Sequence, residues 1–492
     1  MKTLGIEMVD AGFEVAVGRV GPDGGRALAE RLSPPGTVPA VALIEGNEMH
    51  IGLGAEARRF LVPRQINDSF WEDVSLQPAN LRRANRALSL SELSYHFLRH
   101  LIDGLPGVAS EHESLVLALP ATFTEGGDGA EERLGILLGI CGDLELRLGA
   151  IVDAACAALL DPEAEPPSRG TALLIDLNQQ AAVLTLVDID GAATRRAFAR
   201  IPGAGWQALV EQARRALSDR FLRQTSFDVS AERRTEQEFH DETLEALVTF
   251  TSHSEAWLRI TSSARERAIQ VPRDAVAADL RGFAESLSQS AVELLQRQGL
   301  SPTGVQMYLT ARARHVCGLG TALRARGALN VRVLSPGAAA RGAAALAAQR
   351  PAVSDLAEVP VESSLVLPAA EADARVALRA AFNFHRHSGG REAGPTHVVL
   401  DGIAHGLRAG GLRIAAGMNG QAADMSVPVA PVGIGPCEIV IEPRGGTWAV
   451  SAVLGNERVT LPGAETPLAA GDVLEVHGAP GAARLLFVRV SG

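Results

Sequence analysis

Thr171-Ala-Leu-Leu-Ile-Asp-Leu-Asn-Gln-Gln-Ala-Ala-Val-Leu-Thr-Leu-Val-Asp-Ile189 is the stretch that decides the fold. An apolar run ends in an acid at Asp176, a polar turn follows, and a second apolar run covers 181–189. Both runs read as strands. The chain opens in the same way. Leu4, Ile6 and Met8 alternate with other residues, Val9-Asp-Ala-Gly12 turns the chain, and Phe13, Val15 and Val17 alternate again. Two halves that each begin strand, acid, turn, strand point to a duplicated α/β fold.

The segments around these hairpins fit that reading. In the first half, 39–43 reads as a strand, and 90–104 has apolar residues at helical spacing with Ser89 or Ser91 as a cap. The near-continuous apolar run 114–119 ends at Pro120 and suits a sheet buried on both faces. A helix is expected at about 128–141, a short strand at 144–148, an alanine-rich helix at 153–160 and a loop at 161–169. In the second half, helices are expected at 204–222, 232–252 and 276–298. A strand at 305–309, a helix near 316–326, a strand at 330–334 and a helix at 337–348 complete it. Residues 351–395 hold prolines, acids and the run His385-Arg-His-Ser-Gly-Gly-Arg391, and read as a linker with one short helix near 370–383. From 396 to 492 helical periodicity stops. Short alternating runs at 396–400, 412–415, 437–442, 448–453, 473–476 and 484–490 indicate a small β-sandwich.

Composition narrows the function. A chain of 492 residues, 47% hydrophobic, can bury two or three cores. A formal charge of -11 opposes binding to nucleic acid, which needs clustered cations. Lys2 is the sole lysine, so no lysine beyond the N-terminus can act as an active-site amine. Cys141, Cys156, Cys317 and Cys437 have neither zinc-site nor disulfide spacing and read as buried thiols of a reducing compartment. The N-terminus lacks the apolar core of a signal peptide, and no run reaches the length of a membrane span. A cytoplasmic protein with no membrane partner is expected.

Several segments occur in the order of one family's motifs. Gly5-Ile6-Glu7 stands where that family opens with Gly-Ile-Asp-Leu-Gly-Thr-Thr. Pro39-Ala-Val with Ile51-Gly-Leu-Gly-Ala-Glu-Ala57 matches Pro-Ser-Val…Val-Gly-Ala, and Leu119-Pro-Ala-Thr-Phe123 matches Val-Pro-Ala-Tyr-Phe. Ser335-Pro-Gly-Ala-Ala-Ala-Arg-Gly342-Ala-Ala-Ala345 is close to Asn-Pro-Asp-Glu-Ala-Val-Ala-Tyr-Gly-Ala-Ala. On these motifs residues 1–350 resemble the nucleotide-binding domain of the 70-kDa heat-shock chaperones, of the actin-like superfamily. The resemblance implies a duplicated actin-like ATPase fold. It also implies an ancestral nucleotide cleft marked by Glu7, Asp10, Asp153, Asp176, Asn178, Gln179, Gly337 and Gly342, with Glu7 and Asp176 as the magnesium-water contacts if ATP or ADP is held.

The departures from the family bear on chemistry. Backbone N–H groups clamp phosphates best where glycine removes the Cβ. The first hairpin's Gly-Thr-Thr is replaced by Val9-Asp10-Ala11, which brings a negative charge toward polyphosphate. The second hairpin's Asp-Leu-Gly-Gly-Gly-Thr becomes Asp176-Leu-Asn178-Gln179-Gln180-Ala181. The family's lysine has no candidate, and an arginine fork is not equivalent to an ammonium point charge. The Glu-Pro-Thr-Ala-Ala switch becomes Asp153-Ala-Ala-Cys-Ala157, and the adenosine loop becomes Thr310-Ala-Arg-Ala-Arg-His315 without its glycines. A pseudo-ATPase is the expectation, with no cofactor, or ATP/ADP with magnesium if the cleft is retained. The alternative is an ATP-binding chaperone whose Asn178, Gln179 and Gln180 side chains replace glycine backbone.

In 396–492, Leu412-Arg-Ile-Ala-Ala-Gly417, Met425-Ser-Val-Pro428, Gly446-Thr-Trp-Ala-Val450 and Pro467-Leu-Ala-Ala-Gly471-Asp472-Val-Leu474 resemble forkhead-associated domains, which read phosphothreonine. The family's arginine falls near Ala416-Gly417-Met418, and its Ser-Xaa-Xaa-His near 432–437. The phosphate-reading groups are therefore missing. Gly471-Asp472 reads as a structural turn, His385 and His387 as a solvated loop, and Trp206 as core packing. Together these features point to a scaffolding or regulatory module that acts through protein partners.

Overall fold

In a computed structural model the chain divides into two compact units, Met1–Leu367 and Pro368–Gly492. The residues described are 2–19, 28–32, 37–83, 86–105, 114–125, 129–165, 167–262, 265–367, 382–385, 394–400, 403–407, 411–416, 424–427, 430–431, 437–444, 447–454, 457–461, 468–479 and 481–489.

The first unit is mixed α/β and is built on two six-stranded sheets. One runs in the order Val361–Glu362, Leu148–Asp153, Ser114–Leu119, Lys2–Glu7, Glu14–Arg19, Leu28–Arg31. The other runs Asn330–Val333, Val305–Leu309, Gly170–Leu177, Ala181–Ile189, Ala192–Pro202, Ser364–Val366. The strand that carries each leading acid has the same neighbours in both. Lys2–Glu7 is antiparallel to Glu14–Arg19 and parallel to Ser114–Leu119. Gly170–Leu177 is antiparallel to Ala181–Ile189 and parallel to Val305–Leu309. The echo between the two openings thus extends to sheet order.

Period-2 alternation sorts the first strand's faces. Leu4, Ile6 and Met8 join a core with Phe13, Phe70, Trp71 and Phe97. Thr3 and Gly5 face the opposite way, toward the helix Ala338–Ala347. Thr3 Oγ1 donates to the Ala344 carbonyl at 2.9 Å. A Cβ on Gly5 would collide with the backbone of Ala340 and Ala344, and one on Gly342 with the Ala157 carbonyl. Alanine and glycine therefore let this helix lie directly on the first strand and on the helix Ala154–Leu159. A core containing Val116, Val152, Leu174, Tyr308, Ala343 and Leu346 draws on both sheets, so these two small-residue helices tie the lobes together.

Most expected elements lie within a few residues of their places. The helix Leu90–Asp103 starts at Ser89 with a reciprocal capping box to Glu92. Several expectations need correcting. The strand sought at 39–43 is Ala42–Glu45. The one sought at 144–148 is Leu148–Asp153, because 144–147 turns the chain back with Leu146 N bonded to the Cys141 carbonyl. The helix at 276–298 is two helices, Arg273–Asp279 and Arg281–Arg297. Ala192–Pro202 escaped notice because Arg195, Arg196 and Arg200 break its alternation. The hairpin Glu255–Ser262/Arg265–Pro272 is a further addition, its Ala256, Leu258 and Ile260 buried.

The linker expected at 351–395 is also revised. Residues 351–367 belong to the first unit: Val361–Glu362 pairs with Leu148–Asp153, and Ser364–Val366 pairs with Ala192–Pro202. The helix expected near 370–383 lies outside the described residues except for its last two positions, which open the strand Phe382–His385.

In the second unit the described regular elements are strands. One sheet runs Phe382–His385, Val473–Ala479, Gly481–Val488, His397–Leu400, Ile403–Gly406. The other runs Met425–Val427, Leu412–Ala416, Cys437–Arg444, Thr447–Leu454, Glu457–Thr460. Inward residues of both, among them Val398, Ile414, Ile439, Leu474 and Phe487, share one core. At the turn before Val473, Gly471 has φ +94° and the Asp472 carboxylate accepts from Ala469 N at 2.9 Å. Among the described residues of the whole chain, no helix is long and apolar enough to cross a membrane.

Gly342→Ala should lower the stability of the first unit by about 1–3 kcal/mol or more, because its Cβ meets backbone rather than a movable side chain. Gly54→Ala, where nothing lies within 4 Å, should shift it by less than about 1 kcal/mol. Urea midpoints of the two variants check this.

Candidate functional site

The leading strands deliver Glu7 and Asp176 to the same place, where the guanidinium of Arg312 lies between them. Arg312 follows the strand Val305–Leu309, in the turn Thr310–Arg314. Its Nε donates to Asp176 Oδ1 at 3.0 Å and its Nη2 to Asp176 Oδ2 at 2.7 Å. Nη2 also donates to Glu7 Oε1, and Nη1 donates to the Gly12 carbonyl at 3.1 Å. One buried cation thus holds a carboxylate from each sheet and the tip of the first hairpin. Thr310 Oγ1 and the Leu177 amide complete the shell of Asp176, at 2.5 and 2.8 Å.

The two hairpin tips are also bonded to each other. Asp10 Oδ1 accepts from the Gln179 backbone N–H at 2.7 Å. Behind the second tip, Trp206 N donates to the Asn178 carbonyl at 2.8 Å and Gln207 N to the Gln179 carbonyl at 3.0 Å. The first amides of the helix Trp206–Thr225 are therefore spent on the chain itself. Gly205 makes this approach possible, since a Cβ there would strike the backbone of 179–181.

The remaining expected residues divide. Gly337, at φ +76°, lines the same small cavity as Glu7 and Asp176, beside the Glu14 carboxylate. Gly342 serves the helix contact at Ala157. Asp153 caps the helix Ala154–Leu159, its Oδ1 accepting from Ala155 N and Cys156 N, while Oδ2 takes Arg195 Nη1 at 2.5 Å. Arg195, from the opposite sheet, also reaches Glu125. So the structure brings Glu7, Asp176 and Gly337 together, joins Asp10 to Gln179, and employs Asp153 in a helix cap and an ion pair and Gly342 in packing.

Sequence reasoning missed Arg312, Arg195 and Glu14. The available signal was the near-absence of lysine, which leaves arginine to supply any buried cation.

Electrostatics follow from burial. Burial pushes the Glu7 carboxyl up to about 7, against the attraction of Arg312 and with added repulsion from Glu14 and Asp176. Burial also opposes ionisation of Asp176, but the Arg312 charge and the bonds from Arg312, Thr310 and Leu177 outweigh it and hold that group below its usual range. Burial raises Asp10 to about 7 despite the Gln179 amide. The second Asp10 oxygen, like Asn178 Oδ1 and Gln179 Oε1, is buried without a hydrogen-bond partner.

The cavity lined by Glu7, Asp176, Arg312 and Gly337 measures about 40 Å³. That is room for roughly three waters, against about 300–1,000 Å³ for a typical ligand site. The residues do not fit a magnesium–nucleotide in this arrangement, because the Arg312 guanidinium occupies the place between the two carboxylates where the cation would stand. Among the described residues no group of three or more His, Cys, Asp or Glu is placed to hold a metal ion. The histidines proposed for a loop are only partly described: His385 sits in a strand with Nε2 3.2 Å from Glu475 Oε2, and His387 lies outside the described residues, as do Gly417, Met418 and 432–436.

No protein-family model matches the chain, and no curated protein matches it in sequence.

Asp10 yields a pH prediction. With a usual pKa of 3.8 and a folded value of about 7, the folded state binds the extra proton between those limits. Asp10's contribution to stability therefore falls as pH rises from about 4 to about 7 and is level above. Asp10→Asn keeps an acceptor for Gln179 N and removes the titration. It should gain about 2–4 kcal/mol on the wild type between pH 4 and pH 8. Urea midpoints at the two pH values measure the change, and a constant difference contradicts it.

Proposed function

We propose that the chain is a heat-shock-chaperone-like pseudo-ATPase: an actin-like ATPase fold that has internalised its ligand's charges, followed by a forkhead-associated-like β-sandwich, acting as a protein-interaction or regulatory scaffold. The observation that carries this reading is Arg312 between Glu7 and Asp176. In the working family those positions face magnesium-bridged water around ATP. Here a covalently attached cation meets them, and Asp10 supplies a carboxyl oxygen to the hairpin amide of Gln179. The common order of the two sheets and the small-residue helices at their junction support the actin-like assignment. The two-sheet core of the second unit supports the β-sandwich.

The competing idea, that Asn178 and Gln179 side chains hold phosphate, meets a chemical objection. Asn178 and Gln179 are each 3% exposed, which leaves their side-chain amides little surface to offer a phosphate oxygen, and the Gln179 backbone N–H is already given to Asp10. Transition-state stabilisation of phosphoryl transfer also needs a positioned cation facing the phosphate, and Arg312 is committed elsewhere.

Calorimetric titration with magnesium-ATP and magnesium-ADP, followed by a phosphate-release assay, tests the proposal. It predicts no saturable binding at micromolar nucleotide and no phosphate release above buffer. Micromolar binding with turnover abolished by Asp176→Ala would overturn it.

A further inference from the structure

The hairpin Glu255–Ser262/Arg265–Pro272 is a two-stranded sheet of its own, so each of its strands is an edge. Open strand edges invite pairing with other chains, and proteins usually cover them. One edge here is covered. Arg259 N donates to Glu242 Oε2 at 2.6 Å and Thr261 N to Glu238 Oε1 at 2.9 Å, both acids coming from the helix Arg233–Thr249. In an antiparallel pair, residues opposite each other either exchange both backbone bonds or turn both outward. Arg259 and Thr261 turn theirs outward, so Ala268 and Glu266, which stand opposite them, do the same on the far edge. Gln270, opposite Trp257, follows the same alternation.

The far edge has no such cover. Among the described residues nothing accepts from the backbone N–H of Glu266, Ala268 or Gln270, and all three residues are exposed. The flank of this edge is cationic. Period-2 alternation puts Arg265 and Arg267 on the same face as the buried Ile269 and Val271. Arg265 is exposed, and Arg267 is half-buried with its guanidinium carbon 4.2 Å from the Phe227 ring centroid. Neither has a carboxylate partner among the described residues. Glu266 stands between them in sequence but belongs to the opposite face, where it lies 4.0 Å from Arg259. In a chain of net charge -11, two arginines without acids beside an open strand edge stand out.

We propose that the strand Arg265–Pro272 is a docking edge for an extended acidic segment of a partner protein, which adds to the hairpin as a third strand. Main-chain bonds to Glu266, Ala268 and Gln270 hold the segment, and its alternate side chains select it. Carboxylates at two alternate positions meet Arg265 and Arg267, and the next position on that face takes an apolar side chain beside Ile269. On the other face the short side chain of Ala268 leaves room for the intervening residues. Repulsion from the molecule's more distant acids is screened beyond about 8 Å at physiological salt. The edge is distinct from the Arg312 cavity, so the inference stands whether or not that cavity admits nucleotide.

The test is fluorescence-polarisation titration of the full chain into a labelled, end-blocked peptide Val-Thr-Glu-Thr-Glu-Thr-Val, whose side-chain pattern reads the same in either direction. Binding should saturate at sub-millimolar concentration. Lysine in place of both glutamates should weaken it roughly tenfold or more. Proline in place of the central threonine keeps the charge, disrupts the ladder and should weaken it as much. On the protein, Ala268→Pro removes an outward N–H at a position where an edge strand tolerates proline, and Arg265→Glu inverts a charge. Each should weaken the peptide roughly tenfold or more. The proposal is overturned if the acidic peptide does not saturate at millimolar concentration, if the lysine or the proline peptide binds equally well, or if a folded Ala268→Pro protein binds unchanged. It is also overturned if sedimentation shows a dimer that Ala268→Pro dissolves, which assigns the edge to a second copy of the chain. The peptide comparison decides the matter even if neither variant folds.

Discussion

A guanidinium buried between two carboxylates is the contact on which the rest of the first unit turns. Arg312 is 7% exposed and Glu7 6%, so neither charge is screened by water to any extent. Burying such ions is costly, and the arrangement holds because the planar fork meets both oxygens of Asp176, one of Glu7 and the Gly12 carbonyl at once. An ammonium could not match that fork, and beyond Lys2 the chain has no lysine to offer. The attraction also explains how two acids can stay close: Asp176 keeps its charge, and Glu7, nearer neutrality at physiological pH, shares the same cation.

Other contacts close the same gap. Asp10 meets the Gln179 amide, Arg195 meets Asp153 and Glu125, and Arg200 reaches Glu72 with Nη2 at 2.6 Å. Farther out, Gln237 Oε1 accepts from Phe60 N, and His240 pairs with Glu56. Beneath them, Gly5, Gly342 and the alanines of Ala338–Ala347 let backbone approach backbone, which leaves the lobes little freedom to slide. An ATPase that cycles needs a cleft able to open around its ligand. On the proposed reading, the groups that would face a nucleotide bind one another here.

How much of this was legible in the sequence depended on the kind of signal. The apolar runs at Ser114–Leu119, Ala181–Ile189 and Val305–Leu309 gave strands at those same bounds, because continuous apolar segments have few alternatives in a buried sheet. Ser89 and Glu92 placed the start of a helix through local chemistry alone. Ala192–Pro202 did not announce itself, since its arginines serve partners far away in sequence, Asp153 and Glu72 among them. The acids of the site could be named from the two matching hairpins, but their partner could not. Arg312 lies 136 residues from Asp176 and 305 from Glu7, and only tertiary structure brings it there. That Asn178 and Gln179, not glycines, form the hairpin tip was visible, whereas the use of their backbone by Asp10 and by the Trp206 helix was not.

A thermodynamic cycle on the buried triad tests the account most directly. Urea unfolding would compare Arg312→Met alone with Arg312→Met combined with Glu7→Gln and Asp176→Asn. The account predicts that the single change costs about 3–5 kcal/mol, since it strands two buried acids, and that the triple variant recovers most of that loss. A single change costing less than about 1 kcal/mol, the size of a surface ion pair, would contradict it.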